Sequence, residues 1–274
     1  MKKKDDKPFR LRKHELEIFD LTKFKHTIAI VAMGPTIYTY FKHCGINNYA
    51  SRITDEVWVV NDNGFRMHDI DRIMALDDLP NDRRTWPHWV AQMEARGIPI
   101  WTSNPKGVKN GVQYPLKAVE KSVPLMAGKR PWAEQTCGYC LALAIHELKR
   151  FKKAPTAVLL YGIDNLPIET GWRDPNIDIR GEGWKSIHQR VRAPAEPCDV
   201  FMGYLTGVAQ ERGIEVYVPD GSTLFDFDRP IYYEGYLQQP AWLDTSTFTE
   251  TIPVRDPDLL ARLTKGEGVK VRNG

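Results

Sequence analysis

The chain has 274 residues, of which 42% are hydrophobic and 27% are charged, and its formal net charge is +3. This composition is typical of a globular protein with an apolar core, and the length predicts one large domain or one domain with a smaller appendage. No run of about 18 apolar residues occurs, so we expect no membrane span. The N-terminus lacks an apolar signal core, which favours a cytoplasmic protein.

The first 13 residues differ from the rest of the chain in their charge. They carry seven basic and two acidic side chains and few apolar ones. Such a segment is typical of a solvated, poorly ordered arm, and an arm that contacts nucleic acid is the alternative. We assign residues 1–26 to this basic N-terminal arm.

Six short apolar segments follow along the chain and predict buried strands. Their residues are apolar in succession rather than in alternation, which indicates burial on both faces and therefore a parallel sheet covered by helices. The predicted strands are Thr27–Met33, Glu56–Asn61, Arg72–Leu76, Ile98–Thr102, Ala157–Tyr161 and Ile214–Val218.

Helical segments precede three of these strands. The predicted helices are His88–Arg96, Thr136–Phe151 and Val200–Glu211, and each ends at a short turn before the next strand. Repeated helix–turn–strand units predict an α/β fold of the Rossmann-like, doubly wound kind with a mostly parallel sheet. We place this domain at residues 27–224.

Two parts of the chain lack this regular pattern. Residues 167–197 are rich in Gly, Pro, Trp and charge, and predict a long insertion with little regular structure. Trp172 and Trp184 in this insertion are candidates for closing over a site. Residues 225–274 predict a C-terminal tail that wraps and packs on the core.

The turn after the first predicted strand is a candidate phosphate site. Gly34 lets the backbone approach a ligand, Pro35 suits the first position of a helix, and Thr36 follows. The N–H groups at such a helix start face an anion. The alternative is a tight turn without a ligand, because the sequence matches neither common phosphate-loop pattern.

Polar side chains follow other predicted strands, at the edge where open parallel sheets bind ligands. Asn61, Asp62 and Asn63 can hydrogen-bond a ribose or a base, or form an ordinary turn. Asp77 and Asp78 can hold Mg²⁺ or supply a base, and the alternative is a helix cap.

Two further carboxyl-edge features and one histidine complete the candidate site. Asp164 follows the fifth predicted strand. Thr136, Cys137 and Gly138 open the long helix, where Thr136 can cap the helix and small residues leave room for a ligand. His188, in the arginine-rich insertion, is a candidate acid or base, and a structural role is the alternative.

The chain has four cysteines, too few for a disulfide scaffold at this length, which predicts reduced thiols. Cys137 and Cys140 form a single C-x-x-C. We expect two small residues on a packed helix, and the alternatives are a zinc site or a redox pair.

The order of these motifs along the chain resembles their order in two related families. These are the bacterial lipooligosaccharide sialyltransferases and the 6-hydroxymethylpterin diphosphokinase-like proteins. Uncharacterised phage-encoded proteins carry similar strings. The match covers roughly residues 27–220 and departs from the family pattern at Ala32 and Met33, where the families have Gly and often Asn. The matching segments are Ala32–Thr36, Val60–Asp62, Thr136–Tyr139, Ala142–Ile145, Leu160–Asp164 and Gly213–Pro219.

The resemblance implies a nucleotide site formed by the Gly34 turn, the Asn61 turn and the helix start at Thr136–Gly138. It implies a transferase, and we expect a glycosyltransferase that uses a CMP- or UDP-linked sugar donor, with His188 in the catalytic position. Together with the basic arm, it makes a phage DNA base a candidate acceptor. The alternatives are an ATP- and Mg²⁺-dependent pyrophosphokinase-like enzyme, with Asp77, Asp78 and Asp164 as metal ligands, and a non-catalytic nucleotide- or nucleic-acid-binding module.

Overall fold

Ten strands and eight helices lie in the part of the chain that the computed structural model describes. The described residues are 16–34, 36–47, 50–61, 63–85, 87–123, 135–151, 154–163, 200–219, 222, 224, 251–265 and 269–272. The strands are β1 (Leu16–Asp20), β2 (His26–Val31), β3 (Glu56–Val60), β4 (Arg72–Met74), β5 (Ile100–Thr102), β6 (Gly111–Gln113), β7 (Thr156–Tyr161), β8 (Ile214–Tyr217), β9 (Thr251–Val254) and β10 (Val269–Arg272).

The helices lie between the strands, as a doubly wound fold requires. They are α1 (Ile37–Ile46), α2 (Asn63–Arg66), α3 (Leu79–Thr85), α4 (Pro87–Ala95), α5 (Leu116–Ser122), α6 (Thr136–Leu148), α7 (200–211) and α8 (Pro257–Thr264). A 3₁₀ turn at Lys149–Phe151 extends α6. None of the described helices is both long enough and apolar enough to span a membrane.

Seven strands form one sheet in the order β6-β5-β4-β3-β2-β7-β8, and every neighbouring pair is parallel. The chain moves from β2 toward β3 in one direction and from β7 toward β8 in the other. The pair β2 and β7 is therefore the topological switch point, where open α/β sheets bind ligands at the carboxyl ends of their strands.

Both faces of this sheet are covered. On one face, α1 and α4 pack on the strands through Ile37, Tyr40, Val90 and Met93. On the other face, α5, α6 and α7 pack on the alternate side chains of the same strands. This burial on two sides explains the near-continuous apolar strand sequences.

A second sheet joins the two ends of the chain. β1 lies between β9 and β10 in parallel register, and Ile18 packs with Ile252 and Val254. Arg255 donates to Thr27 Oγ1 (2.9 Å) and pairs with Asp55, which ties this sheet to the main one. β1 falls within the range assigned to the arm, and β9, α8 and β10 fall within the range assigned to the tail.

The α/β class, the parallel sheet and all six predicted strands are confirmed, with end points that differ by up to two residues. β1, β6, β9 and β10 were not predicted. The insertion at residues 167–197 lies outside the described residues, and the packing of the tail as a whole stays a prediction.

Candidate functional site

The start of α6 lies at the carboxyl edge of the main sheet. Near the other end of α6, Glu147 accepts two hydrogen bonds from Arg72 (2.6 and 2.7 Å), and Arg72 is the first residue of β4. The C-terminal end of α6 is thus fixed at the amino edge. The helix runs antiparallel to the strands, so Thr136 and Gly138 lie beside the strand ends.

The turn after β2 is closed by the residue that follows β7. Gly34 N–H donates to the Gly162 carbonyl (2.7 Å), and Gly162 N–H donates to Thr36 Oγ1 (2.8 Å). Gly162 has a φ of +64°, and a β-carbon on it would lie 2.2 Å from the Ala32 carbonyl oxygen. Only glycine permits this close approach at the switch point.

Asn63 holds the same turn from the β3 side. Its side-chain amide donates to the Ala32 carbonyl (2.7 Å) and to the Val31 carbonyl (3.2 Å). The residue is 2% exposed. The sequence left open whether Asn63 contacts a ligand or forms a turn; its Nδ2 fixes the backbone after β2, and a ligand contact stays a prediction.

These contacts reduce the number of backbone N–H groups in the Gly34 turn that can bind an anion. The Gly34 N–H is engaged by Gly162, and the Ile37 N–H donates to the Gly34 carbonyl (3.0 Å). The helix α1 begins at Ile37, with Thr36 at the N-cap, rather than at Pro35. A phosphate in the Gly34 turn would have to compete with the link between β2 and β7.

α6 offers a second helix start at the same edge. Its N-cap is Gln135, in an extended conformation and without a side-chain cap, so the prediction that Thr136 caps this helix was wrong; Thr136 is the first helical residue. Gly138 N–H donates to the Gln135 carbonyl (3.1 Å). The positive end of a 13-residue helix, uncapped by its own N-cap side chain, favours an anion here.

Asn61 lies at the same edge, directly after β3. Its backbone is in the left-handed region, with a φ of 50°. The side-chain Oδ1 is buried and has no hydrogen-bond partner. A buried oxygen without a donor is costly, and a ligand that donates a hydrogen bond would remove the cost.

Asp77 follows β4. Because β3 lies between β4 and β2, the ends of β4 and β2 are two strand spacings, or about 10 Å, apart. The Asp77 carbonyl accepts from Thr102 Oγ1 (3.1 Å) and Ser103 Oγ (3.2 Å), which fixes the backbone. Desolvation of the carboxyl by the surrounding residues raises the pKa of Asp77 above its ordinary value, although the residue as a whole is exposed to solvent. A raised carboxyl pKa in such a position is typical of a functional group.

Asp78 and Asp82 lie beside Asp77. The Asp78 carboxylate accepts from Asn104 Nδ2 (3.1 Å), and its carbonyl accepts from the Asn81 and Asp82 N–H groups at the start of α3. Partial burial raises the pKa of Asp82, and the charges of Asp77 and Asp78 raise it further. Asp82 was not among the predicted site residues. A third acidic residue one helical turn after the pair Asp77-Asp78 indicates a cluster of carboxylates and could have identified it.

Cys137 and Cys140 are buried on α6, and neither forms a disulfide. Burial raises the pKa of Cys140 well above its ordinary value, and Cys137 is 9% exposed. Both side chains belong to the core cluster on α6, as the packed-helix interpretation expects, and a role of either thiol at a site stays a prediction. Among the described residues, no group of three or more His, Cys, Asp or Glu side chains is placed to hold a metal ion.

The structure brings together, at one edge, Gly34, Thr36, Asn61, Asn63, Asp77, Thr136, Cys137 and Gly138. His188, Asp164, Pro35 and Asp62 lie outside the described residues, so their predicted roles stay predictions. No protein-family model, curated protein or solved structure matches this chain.

Proposed function

We propose that this protein is a nucleotide-dependent transferase, and within that class a glycosyltransferase that uses a CMP- or UDP-linked sugar. The observation that carries the proposal is that three polar strand ends and the start of α6 lie at the carboxyl edge of a parallel sheet, the edge that contains the switch point. This place in an open α/β sheet is the usual one for nucleotides.

The donor would lie along the edge from α6 toward β4. Its phosphate would face the first turn of α6, where the helix dipole favours negative charge. The buried Asn61 Oδ1 would accept a hydrogen bond from a ribose hydroxyl or a base amino group. Gly162 and Asn63 would keep the adjacent turn in place.

Asp77 would act as the general base. Its raised pKa makes it a better proton acceptor at neutral pH than an ordinary carboxylate. In the reaction, the acceptor hydroxyl would lose its proton to Asp77 and its oxygen would bond to the anomeric carbon. The bond between that carbon and the phosphate oxygen would break, and the nucleotide would leave with the electron pair, stabilised by α6. His188 is the alternative base.

The acceptor proposed for this reaction is a nucleic acid, such as a hydroxymethylated base in phage DNA. The seven basic side chains among the first 13 residues favour a polyanionic partner. A base inside a duplex would have to be flipped out to reach the site. DNA binding that does not weaken when salt is raised from 50 to 200 mM would exclude this acceptor.

An ATP- and Mg²⁺-dependent pyrophosphokinase-like activity is the second candidate. The observation that favours it is the closeness of Asp77 and Asp78 to Asp82, since the negative charges of Asp77 and Asp78 raise the pKa of Asp82. The three carboxylates do not form a metal site by themselves, so substrate phosphates would have to supply further ligands. Carboxylates together with substrate phosphates are the usual ligands of Mg²⁺. Release of AMP from ATP, dependent on Mg²⁺, would distinguish this activity from sugar transfer.

The test is the release of nucleotide from CMP- and UDP-sugars in the presence of DNA. In the Asp77→Asn variant, we expect kcat to fall about 10²- to 10⁴-fold, because a general base is lost. The matched control is Asp78→Asn, since the Asp78 carboxylate is held by Asn104. Full activity of Asp77→Asn would exclude Asp77 as the base. If the wild type releases no nucleotide from any donor, the glycosyltransferase proposal is wrong.

A further inference from the structure

The buried side of α1 carries polar atoms that the proposed reaction does not use. His43 is fully buried, and its Nε2 has no hydrogen-bond partner. Asn47 ends the helix one turn later, and its Oδ1 is also buried without a partner. Two orphaned polar atoms one helical turn apart are unusual, because nearly all such atoms in native proteins are satisfied by protein or by water.

The other ring nitrogen of His43 has a hydrogen-bond partner. His43 Nδ1 lies 2.9 Å from the Tyr161 hydroxyl, and both residues are fully buried. Tyr161 is the last residue of β7 and directly precedes Gly162. This hydrogen bond orients the imidazole, so that Nε2 is presented at a fixed position on the buried side of α1.

Side chains four residues apart on a helix lie on the same side, with about 6 Å between their β-carbons. His43 Nε2 and Asn47 Oδ1 make no direct hydrogen bond to each other. We propose that one internal water molecule bridges His43 Nε2 and Asn47 Oδ1. Internal waters usually make two to four hydrogen bonds to buried polar atoms of this kind.

Water fits this pair better than an ion does. Asn47 Oδ1 is an acceptor, whereas His43 Nε2 is a donor or an acceptor according to the tautomer that the Tyr161 hydroxyl selects. A water molecule can donate to Oδ1 and can either accept from or donate to Nε2. An anion would be repelled by the Asn47 oxygen in either tautomer, and a cation would be repelled when Nε2 carries the ring proton. Water alone suits both tautomers.

The bridge would join the C-terminal end of α1 to the residue that precedes the turn at the switch point. The chain of contacts runs from Asn47 through the water and His43 to Tyr161, and from Tyr161 along the backbone to Gly162. Both ends of α1 would then be fixed to β7, since Thr36 at the other end accepts from Gly162 N–H. This inference does not depend on the proposed function.

A crystal structure of the full chain, at a resolution that shows ordered solvent, tests the proposal. We expect a solvent peak at about 2.7–3.2 Å from both His43 Nε2 and Asn47 Oδ1. In the Asn47→Leu variant we expect the peak to disappear while the His43–Tyr161 hydrogen bond remains. A direct His43–Asn47 hydrogen bond, or well-defined side chains without a peak between them, would overturn it.

A solution measurement covers the case in which no crystals form. A long-lived internal water gives a nuclear Overhauser effect between the water resonance and the ring protons of His43. We expect this effect in the wild type and its loss in Asn47→Leu. The Asn104→Leu variant, which changes an amide at the carboxyl edge, should keep it. An effect that persists in Asn47→Leu, or that is absent from the wild type, would contradict the bridge.

Discussion

Gly162, the residue after β7, is joined to the turn after β2 through hydrogen bonds with Gly34 and Thr36. It combines a φ of +64° with a position at which a β-carbon would lie 2.2 Å from the Ala32 carbonyl oxygen. The Gly162→Ala substitution should lower the free energy of unfolding by about 3 kcal/mol. About 1 kcal/mol comes from the left-handed backbone, and the rest comes from the displaced Ala32 backbone. Urea unfolding measures the difference.

Gly97 supplies the matched control for this prediction. Its φ is +69°, and a β-carbon on it would meet no atom within 4 Å. Gly97→Ala should therefore show only the backbone cost of about 1 kcal/mol. Equal losses in the two variants would show that the approach of Gly162 to Ala32 does not matter for stability.

His43 gives the stability of the protein a dependence on pH. Burial, and to a smaller extent the positive charge of Lys42, lower the pKa of His43 from an ordinary value of 6.5 to about 3. Between these values the unfolded chain binds a proton that the folded protein does not bind. The free energy of unfolding should therefore fall as the pH drops below 6.5, by about 1.4 kcal/mol per pH unit from this residue.

The His43→Phe variant isolates this contribution. Between pH 7 and pH 5, the wild type should lose about 2 kcal/mol more of its unfolding free energy than the variant loses. Urea unfolding at the two pH values gives both numbers, and the comparison cancels the titration of other groups. If the two proteins lose the same amount, His43 is not neutral in the folded state.

At the scale of elements, Arg72 joins β3, β4 and α6 at the amino edge of the sheet. Its guanidinium pairs with Glu147 (2.6 Å) and Glu56 (3.0 Å), and it lies over the rings of Trp58 and Trp101. Arg72→Met should cost about 3 kcal/mol of unfolding free energy, because two mostly buried carboxylates lose their cation. Thermal or urea unfolding measures this loss.

Lys23 provides the comparison for Arg72. It pairs with Glu215 (3.1 Å), and the two side chains are 30% and 46% exposed. Because solvent screens this pair, Lys23→Met should cost less than about 1 kcal/mol. A loss in Arg72→Met no larger than the loss in Lys23→Met would show that the buried network does not fasten α6 to the sheet.

The individual strands also show how much of the fold could be predicted from the sequence. β2, β3 and β7 were predicted because burial on both faces requires continuous apolar residues. β6 has only three residues, partly exposed at the sheet edge, and therefore no apolar run. β1 pairs with β9, which lies more than 200 residues further along the chain, and no local pattern encodes such a pairing.

At the scale of the whole molecule, the two edges of the main sheet have different roles. At the amino edge, Arg72 joins the main sheet to α6 and Arg255 joins it to the second sheet, and these contacts stabilise the fold. The carboxyl edge holds Asn61, with its orphaned oxygen, and Asp77, with its raised pKa. These two groups are the reason why the proposed ligand site lies at the carboxyl edge.

The position of this site was predictable from the sequence, because polar residues follow buried strands at the carboxyl edge of any parallel sheet. The roles of its residues were not predictable. Gly34 and Asn63 bond to groups of other strands, and Thr36 bonds to a residue 126 positions away. Such contacts depend on the assembled sheet, so the sequence alone could not separate residues that hold the turn from residues that meet a ligand.

The most direct test of the account is a measurement of nucleotide binding by thermal stability. Purified protein would be unfolded with CMP, UDP, GDP, ADP or ATP, each with and without Mg²⁺. A nucleotide at a hundred times its Kd should add about 2.7 kcal/mol. Thr136→Trp should abolish this shift by blocking the start of α6, whereas Lys25→Trp, at the exposed amino edge, should retain it. No shift with any nucleotide, or a full shift in Thr136→Trp, would contradict a nucleotide site at the carboxyl edge.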